Sequence, residues 1–151
     1  MYERILVPVD GSPTSDRGLQ EAIGLAKLTG AQLRLLHVVD VVSVYAIAGE
    51  GYSVPTSVDI LEPVRQGARE ILRMAREAVT SQGIAAGSVL LENTAGRVAN
   101  LVVQEALDWH ADLIVLGTHG RRGVRRMVMG SDAELVARLA PVPVLLVRLP
   151  G

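Results

Sequence analysis

The sequence has no cysteine. Disulfide bridges, thiol nucleophiles and Cys-ligated zinc or iron–sulfur centres are therefore excluded. Lysine is almost as scarce, since Lys27 is the only one among 15 basic residues and the rest are arginine. Lys27 sits in an apolar-periodic stretch without a glycine frame, which rules out a G-x-x-x-x-G-K-S/T phosphate loop. There is no H-E-x-x-H and no G-x-S-x-G, and only three histidines could share metal or general-base work. Aromatic residues make up 3% of the chain and the net charge is −1, so nucleic acid is not an expected partner. No apolar run reaches the ~20 residues of a membrane span. Glu3 and Asp10 bracket the first hydrophobic stretch, unlike a basic-then-apolar leader. A cytoplasmic protein with no membrane partner is the expectation.

Core-forming residues are plentiful. With 151 residues, 49% of them hydrophobic, the chain suits one domain, residues 1–151, with a sizeable core. Residues 4–10 (RILVPVD) read as a strand ending at Gly11-Ser12-Pro13, where Ser12 is a helix N-cap and Pro13 the first helical residue. Leu19, Ala22, Ile23 and Ala26 fall on one helix face, which Thr29-Gly30 stops. Residues 31–39 form a second strand. Residues 40–58, with Gly49, Gly51 and Pro55, read as a long loop. A helix then carries Leu61, Val64, Ala68, Ile71, Leu72, Ala75 and Val79 inward until Gly83. Residues 87–91 are a short strand, 98–109 a helix and 112–116 an apolar strand. Leu135, Val136 and Leu139 mark a last helix, and Val142 to Val147 a last strand.

Strands separated by helix-length crossovers must run parallel, and apolar runs this continuous suit a sheet covered on both faces. The expected fold is α/β: an open five-stranded parallel sheet with helices on both faces, Rossmann-like, in a single domain. Ligands in such sheets bind outside the strands' carboxyl ends, where the strand order switches.

Residues 117–131 hold the chemistry. Gly117, Gly120, Gly123 and Gly130 let backbone N–H groups approach an anion. Arg121, Arg122, Arg125 and Arg126 supply cations, and Gly130-Ser131 opens a helix whose first amides attract negative charge. This is a phosphate site without lysine.

The spacing is G-x-x-G, nine residues, then G-S. With ILVPVDGS, LLHVVD, DLIVLGTHG and VPVLLV in order along the whole chain, it resembles the ATP-binding branch of the universal stress protein family. The resemblance implies ATP as ligand, alone or with Mg2+, bound by a stress-response or signalling module. It places Pro8, Val9, Asp10 and Val38 around the adenine, and Leu116 and Gly117 along the ribose. Gly120, Arg121, Gly130, Ser131 and the amide of Asp132 would face the phosphates. It also implies a homodimer formed through the last strand, Val142 to Val147, where Pro143 already argues for a sheet edge. Asp132 stands where the family usually has valine. Turned inward it would repel phosphate or need a bridging divalent cation, and turned away it would offer only its N–H.

Plainer roles compete at each position. Asp10 could cap the turn after its strand, and Ser131 could be a helix N-cap. Gly11-Ser12-Pro13 reads as helix initiation, His119 as an exposed loop histidine, and His37 as a core histidine. No nucleophile, oriented base and metal cage occur together, so no catalytic residue is assigned. Slow ATP hydrolysis and a nucleotide-free interaction protein of the same family are the alternatives to a nucleotide-binding module.

Overall fold

The computed structural model describes residues 1–49, 59–119 and 129–150. At its centre lies β1 (Arg4–Pro8), in which Ile5, Leu6 and Val7 have no exposed surface. A strand can bury alternate side chains on both faces only when helices cover both. Those helices come from the crossovers. In chain order β1 is followed by α1 (Pro13–Thr29), β2 (Gln32–Asp40), α2 (Val41–Gly49), α3 (Glu62–Thr80) and β3 (Ala86–Asn93). Then come α4 (Val98–Asp108), β4 (Leu113–Gly117), α5 (Ser131–Leu139) and β5 (Val144–Val147). The sheet is parallel throughout, in the order β3-β2-β1-β4-β5. Ile5 therefore sits beside Leu33 on one side and Leu113 on the other.

Two cores sandwich the sheet. Ile5, Val7, Leu33, Leu35 and Val115 point into one, where Leu19 and Ile23 of α1 and Leu72 and Val79 of α3 meet them. Leu6, Leu36, Ile114 and Leu116 point into the other, against Ala99, Val102 and Ala106 of α4 and Val136 of α5. Burying each such aliphatic side chain contributes roughly 1.5–3 kcal/mol, offset by the entropy of ordering the chain. No helix among the described residues is long and apolar enough to cross a membrane.

The local signals read for α1 hold in detail. Ser12 is its N-cap, with Oγ accepting from the Ser15 amide, and Pro13 opens the helix. All four residues of its expected inner face are buried. Gly30 closes it in the left-handed conformation, its amide reaching the Ala26 carbonyl.

Residues 40–49 differ from the loop expected over 40–58. Asp40 ends β2, and 41–49 form α2. The Ser43 hydroxyl donates to Asp40 Oδ2, holding the first turn, while Val41 packs with Val39, Leu61 and Ala68 in a third small cluster. The rest of that segment, 50–58, lies outside the described residues. The last strand is also shorter than expected. It begins at Val144, because Pro143 contributes only its carbonyl, to the Ile114 amide. β3 is longer than expected, since Glu92 and Asn93 continue the pairing opposite Val39 and Asp40.

Candidate functional site

The strand order reverses direction between β1 and β4. From β1 the chain first builds outward through β2 and β3, and later returns to add β4 and β5 on the other side. The loops leaving the carboxyl ends of β1 and β4 consequently diverge, at the place where open α/β sheets form their ligand crevice.

The β1 end is shaped by hydroxyls. Val9 donates its amide to the Leu36 carbonyl, which keeps the chain in the sheet one residue beyond β1. Asp10 then turns the backbone, its Oδ1 accepting from the Ser12 amide at 2.8 Å while its own amide donates to Ser15 Oγ at 3.0 Å. The expected turn-capping role of Asp10 is thus present, with its carboxylate half-buried at the crevice. His37 is buried in β2 with Nδ1 2.7 Å from the Val9 carbonyl, which fixes a proton on that nitrogen. It is a core histidine bracing the loop that leaves β1.

The β4 end is held by α1. A Cβ on Gly117 would stand 2.7 Å from the Thr14 carbonyl carbon and oxygen and 3.0 Å from the Ser15 amide nitrogen. Gly18 meets the same strand from the helix side, 3.2 Å from the Gly117 amide nitrogen. The small residue at the end of β4 therefore lets the first turn of α1 press directly on the backbone. Thr118 follows, buried, with its amide on the Val147 carbonyl. The Thr14 hydroxyl donates to the His119 carbonyl, and His119 Nδ1 lies 3.0 Å from Thr118 Oγ1. His119 is half-buried, not the exposed loop residue expected.

The α5 end completes the crevice. Gly130, not Ser131, is the N-cap. Its amide donates to the Thr118 carbonyl at 2.7 Å, and an added Cβ would meet that oxygen at 3.0 Å. The Gly130 amide is engaged within the protein. The amides of Ser131 and Asp132, in the first turn, have no acceptor inside an α-helix, and both residues are exposed.

Of the expected residues, Pro8, Val9, Asp10 and Val38 fall together at the β1–β2 end. Leu116 and Gly117 lie at the β4 end, and Gly130, Ser131 and Asp132 at the start of α5. Pro8, Val38 and Leu116 belong to alternate positions that face the α4–α5 side, so an apolar wall and the helix terminus share one face. Gly120 and Arg121 lie outside the described residues, as do Arg122, Arg125 and Arg126.

Three rim residues escaped the sequence reading. Asn93, nearly fully buried, donates to Asp40 Oδ1 and to the Gly96 carbonyl, both at 3.1 Å, which ties β2 to the turn before α4. Arg97 follows that turn, with its Nη2 3.8 Å from Asp132 Oδ1. Asp40, the last residue of β2, accepts the Ser43 hydroxyl, and an aspartate closing an apolar run was the available signal for it. Nothing local marks Asn93 or Arg97, whose partners are remote in sequence.

The hollows elsewhere are less suited to a ligand. A groove of about 660 Å3 runs between α3 and β3, but Arg69 and Arg73 on its wall are already paired with Glu62, Glu70 and Glu77. A notch of about 250 Å3 near Trp109 is smaller than typical ligand pockets. Beside it Arg34 pairs with buried Glu105 at 2.8 Å, off the angle of a hydrogen bond, and stacks 5.6 Å from the Trp109 ring centre. That arrangement is a structural ion pair.

The universal stress protein family model matches residues 1–148. A universal stress protein of Methanocaldococcus jannaschii is 35% identical over 99% of this chain and 84% of its own length. Among solved structures, the universal stress protein UspA of Lactobacillus plantarum superposes with a TM-score of 0.74 at 27% identity, covering 97% of this chain and 98% of its own. Two more share the fold at lower identity. One is a universal stress protein in complex with cAMP (TM-score 0.68, 24% identity, 97% of each chain). The other is the Archaeoglobus fulgidus protein in complex with dAMP (0.67, 23%, 97% of this chain and 98% of its own). A family model spanning nearly every residue, with a matching fold, makes this chain a member of the universal stress protein family.

Proposed function

We propose that the chain binds ATP at the carboxyl rim and works as a cytoplasmic nucleotide-dependent stress-response module. The observation that carries the reading is an apolar wall and a helix start on one face of the sheet's carboxyl rim. These are Pro8, Val38 and Leu116, and the first turn of α5 at Ser131 and Asp132, with the half-buried Asp10 just past the end of β1. A purine needs a flat apolar wall with a few polar groups at its edge, and phosphates need unengaged N–H donors at a helix start. The two relatives solved with adenine nucleotides, cAMP and dAMP, support an adenine nucleotide as the ligand class. Gly120 and Arg121 join the phosphate side in this reading. Among the described residues no three His, Cys, Asp or Glu side chains converge on a metal position. ATP binds alone or with Mg2+, which then enters with the phosphates. The same reading makes the protein a homodimer paired through β5.

Mass spectrometry of ligand released from protein purified without added nucleotide tests the reading, followed by calorimetric titration with ATP and Mg2+. An adenine nucleotide should be released. ATP should bind the stripped protein, and Ser131→Ala should weaken it about fivefold by removing one hydroxyl donor to charged oxygen. An empty protein that shows no heat with ATP overturns the proposal.

A further inference from the structure

Arg97 is at odds with its own helix. It is the N-cap of α4, a position that favours side chains able to accept a hydrogen bond, and it makes no capping bond. Its charge also stands at the positive end of the helix dipole, and the first turn of α4 holds no acidic residue. The guanidinium reaches across to α5 instead, where Asp132 occupies the first turn. That contact is loose. At 3.8 Å it exceeds hydrogen-bond reach, with both side chains about half exposed. By contrast Arg17, Arg65 and Arg138 hold their carboxylates at 2.6, 2.6 and 3.1 Å.

Among the described residues, Arg97 and two helix starts, each worth roughly half a positive charge, lie near the Asp132 carboxylate. Glu134, the other acid in the first turn of α5, is paired with Arg138. Asp132 is therefore the carboxylate a phosphate would compete with for Arg97.

We propose that Arg97 reads the phosphate charge of the nucleotide and is held in reserve by Asp132. The inference rests on the nucleotide reading above. A phosphate at the Ser131 and Asp132 amides competes with the Asp132 carboxylate for the guanidinium. The arginine then turns from carboxylate to phosphate oxygen, where its planar fork makes paired charge-assisted bonds. Asp132 thereby sets the cost of phosphate entry, and Arg97 sets the gain.

Calorimetry with adenosine and with ATP, on wild type, Arg97→Gln, Asp132→Asn and the double variant, tests this. Wild type should bind ATP more tightly than adenosine. Arg97→Gln should weaken ATP about tenfold and leave adenosine within about twofold. Asp132→Asn should strengthen ATP, and by a smaller factor when Arg97 is already replaced, because no guanidinium is then left for the carboxylate to hold back. Melting curves of these exposed-site variants should match wild type, which separates a charge role from a structural one. Equal losses for adenosine and ATP in Arg97→Gln, no loss for ATP, or additive effects in the double variant overturn the inference alone. Binding of neither ligand by wild type overturns the nucleotide reading and this inference with it.

Discussion

At the scale of single residues, Gly117 carries more structural weight than its place in a phosphate-binding spacing suggests. The sequence offers it as room for a ligand to approach backbone. In the fold, the space a side chain would fill already holds the Thr14 carbonyl and the Ser15 amide. Neither can yield without moving the first turn of α1, because both are backbone. Gly117→Ala should therefore lower the melting temperature by roughly 2–12 °C, from an overpacking cost of about 1–3 kcal/mol and about 2–4 °C per kcal/mol for a chain of this size. Gly87→Ala is the control: no atom lies within 4 Å of its added Cβ, so it should stay within about 0.5 kcal/mol of wild type. Circular dichroism melts of both variants decide the matter, and matching melts would show that α1 can retreat freely. The glycine itself was legible from its spacing. Its packing partner was not, because a contact between the end of β4 and the start of α1 leaves no mark near either residue.

Helices and strands were legible wherever the local chemistry was self-contained. α1 carries its cap, its proline, its buried stripe and its terminating glycine within its own sequence. α2 offered none of these. Its residues are apolar on every side, and Val42, Tyr45 and Ile47 are exposed, so no inward stripe separates a helix from a loop. What holds its first turn is Asp40, which belongs to β2. α3 shows a different logic, an exposed face laced by ion pairs. Arg73 bridges Glu70 and Glu77 at 2.7 and 2.9 Å, and Arg65 reaches Glu92 on β3. The Arg73 hydrogen bond pulls the Glu70 carboxyl below the usual carboxylate range. A carboxyl whose pKa is depressed by folding stabilises the fold above its unfolded pKa and loses that contribution as pH falls through the folded value. Glu70→Gln should thus melt lower than wild type near neutrality, by a small margin suited to an exposed pair, and the gap should close as the pH falls below the carboxylate range. Melts across that range check the sign. A gap that widens in acid would show that Glu70 contributes through packing instead.

Across the whole molecule, the strand order was beyond local patterning, since hydrophobic runs say that strands are buried but not which neighbours they choose. Pro143 was the exception, marking an edge correctly while standing just before the strand. The sheet has two edges, and they are finished differently. On β3, Arg76 donates to the outward Ala86 carbonyl and Arg65 holds Glu92, so arginines from α3 guard that side against pairing. On β5, the Pro143 and Val147 carbonyls face β4, which turns the polar groups of Val144 and Leu146 outward. No side-chain hydrogen bond among the described residues reaches that strand, and Leu145 and Leu149 are exposed along it and just after it. An unguarded apolar edge is a template for pairing with a second copy, the role proposed for it above. Leu145→Glu tests this without disturbing the monomer, because the side chain is already 37% exposed. In a two-fold strand pair it would bring a carboxylate from each copy to the same seam, where like charges oppose pairing. Sedimentation should find wild type at twice the 16.1 kDa chain mass and the variant at the single-chain mass, both with unchanged helical spectra. Wild type sedimenting as a single chain, or a variant that stays paired, would remove β5 as the seam and leave its bare edge without an account.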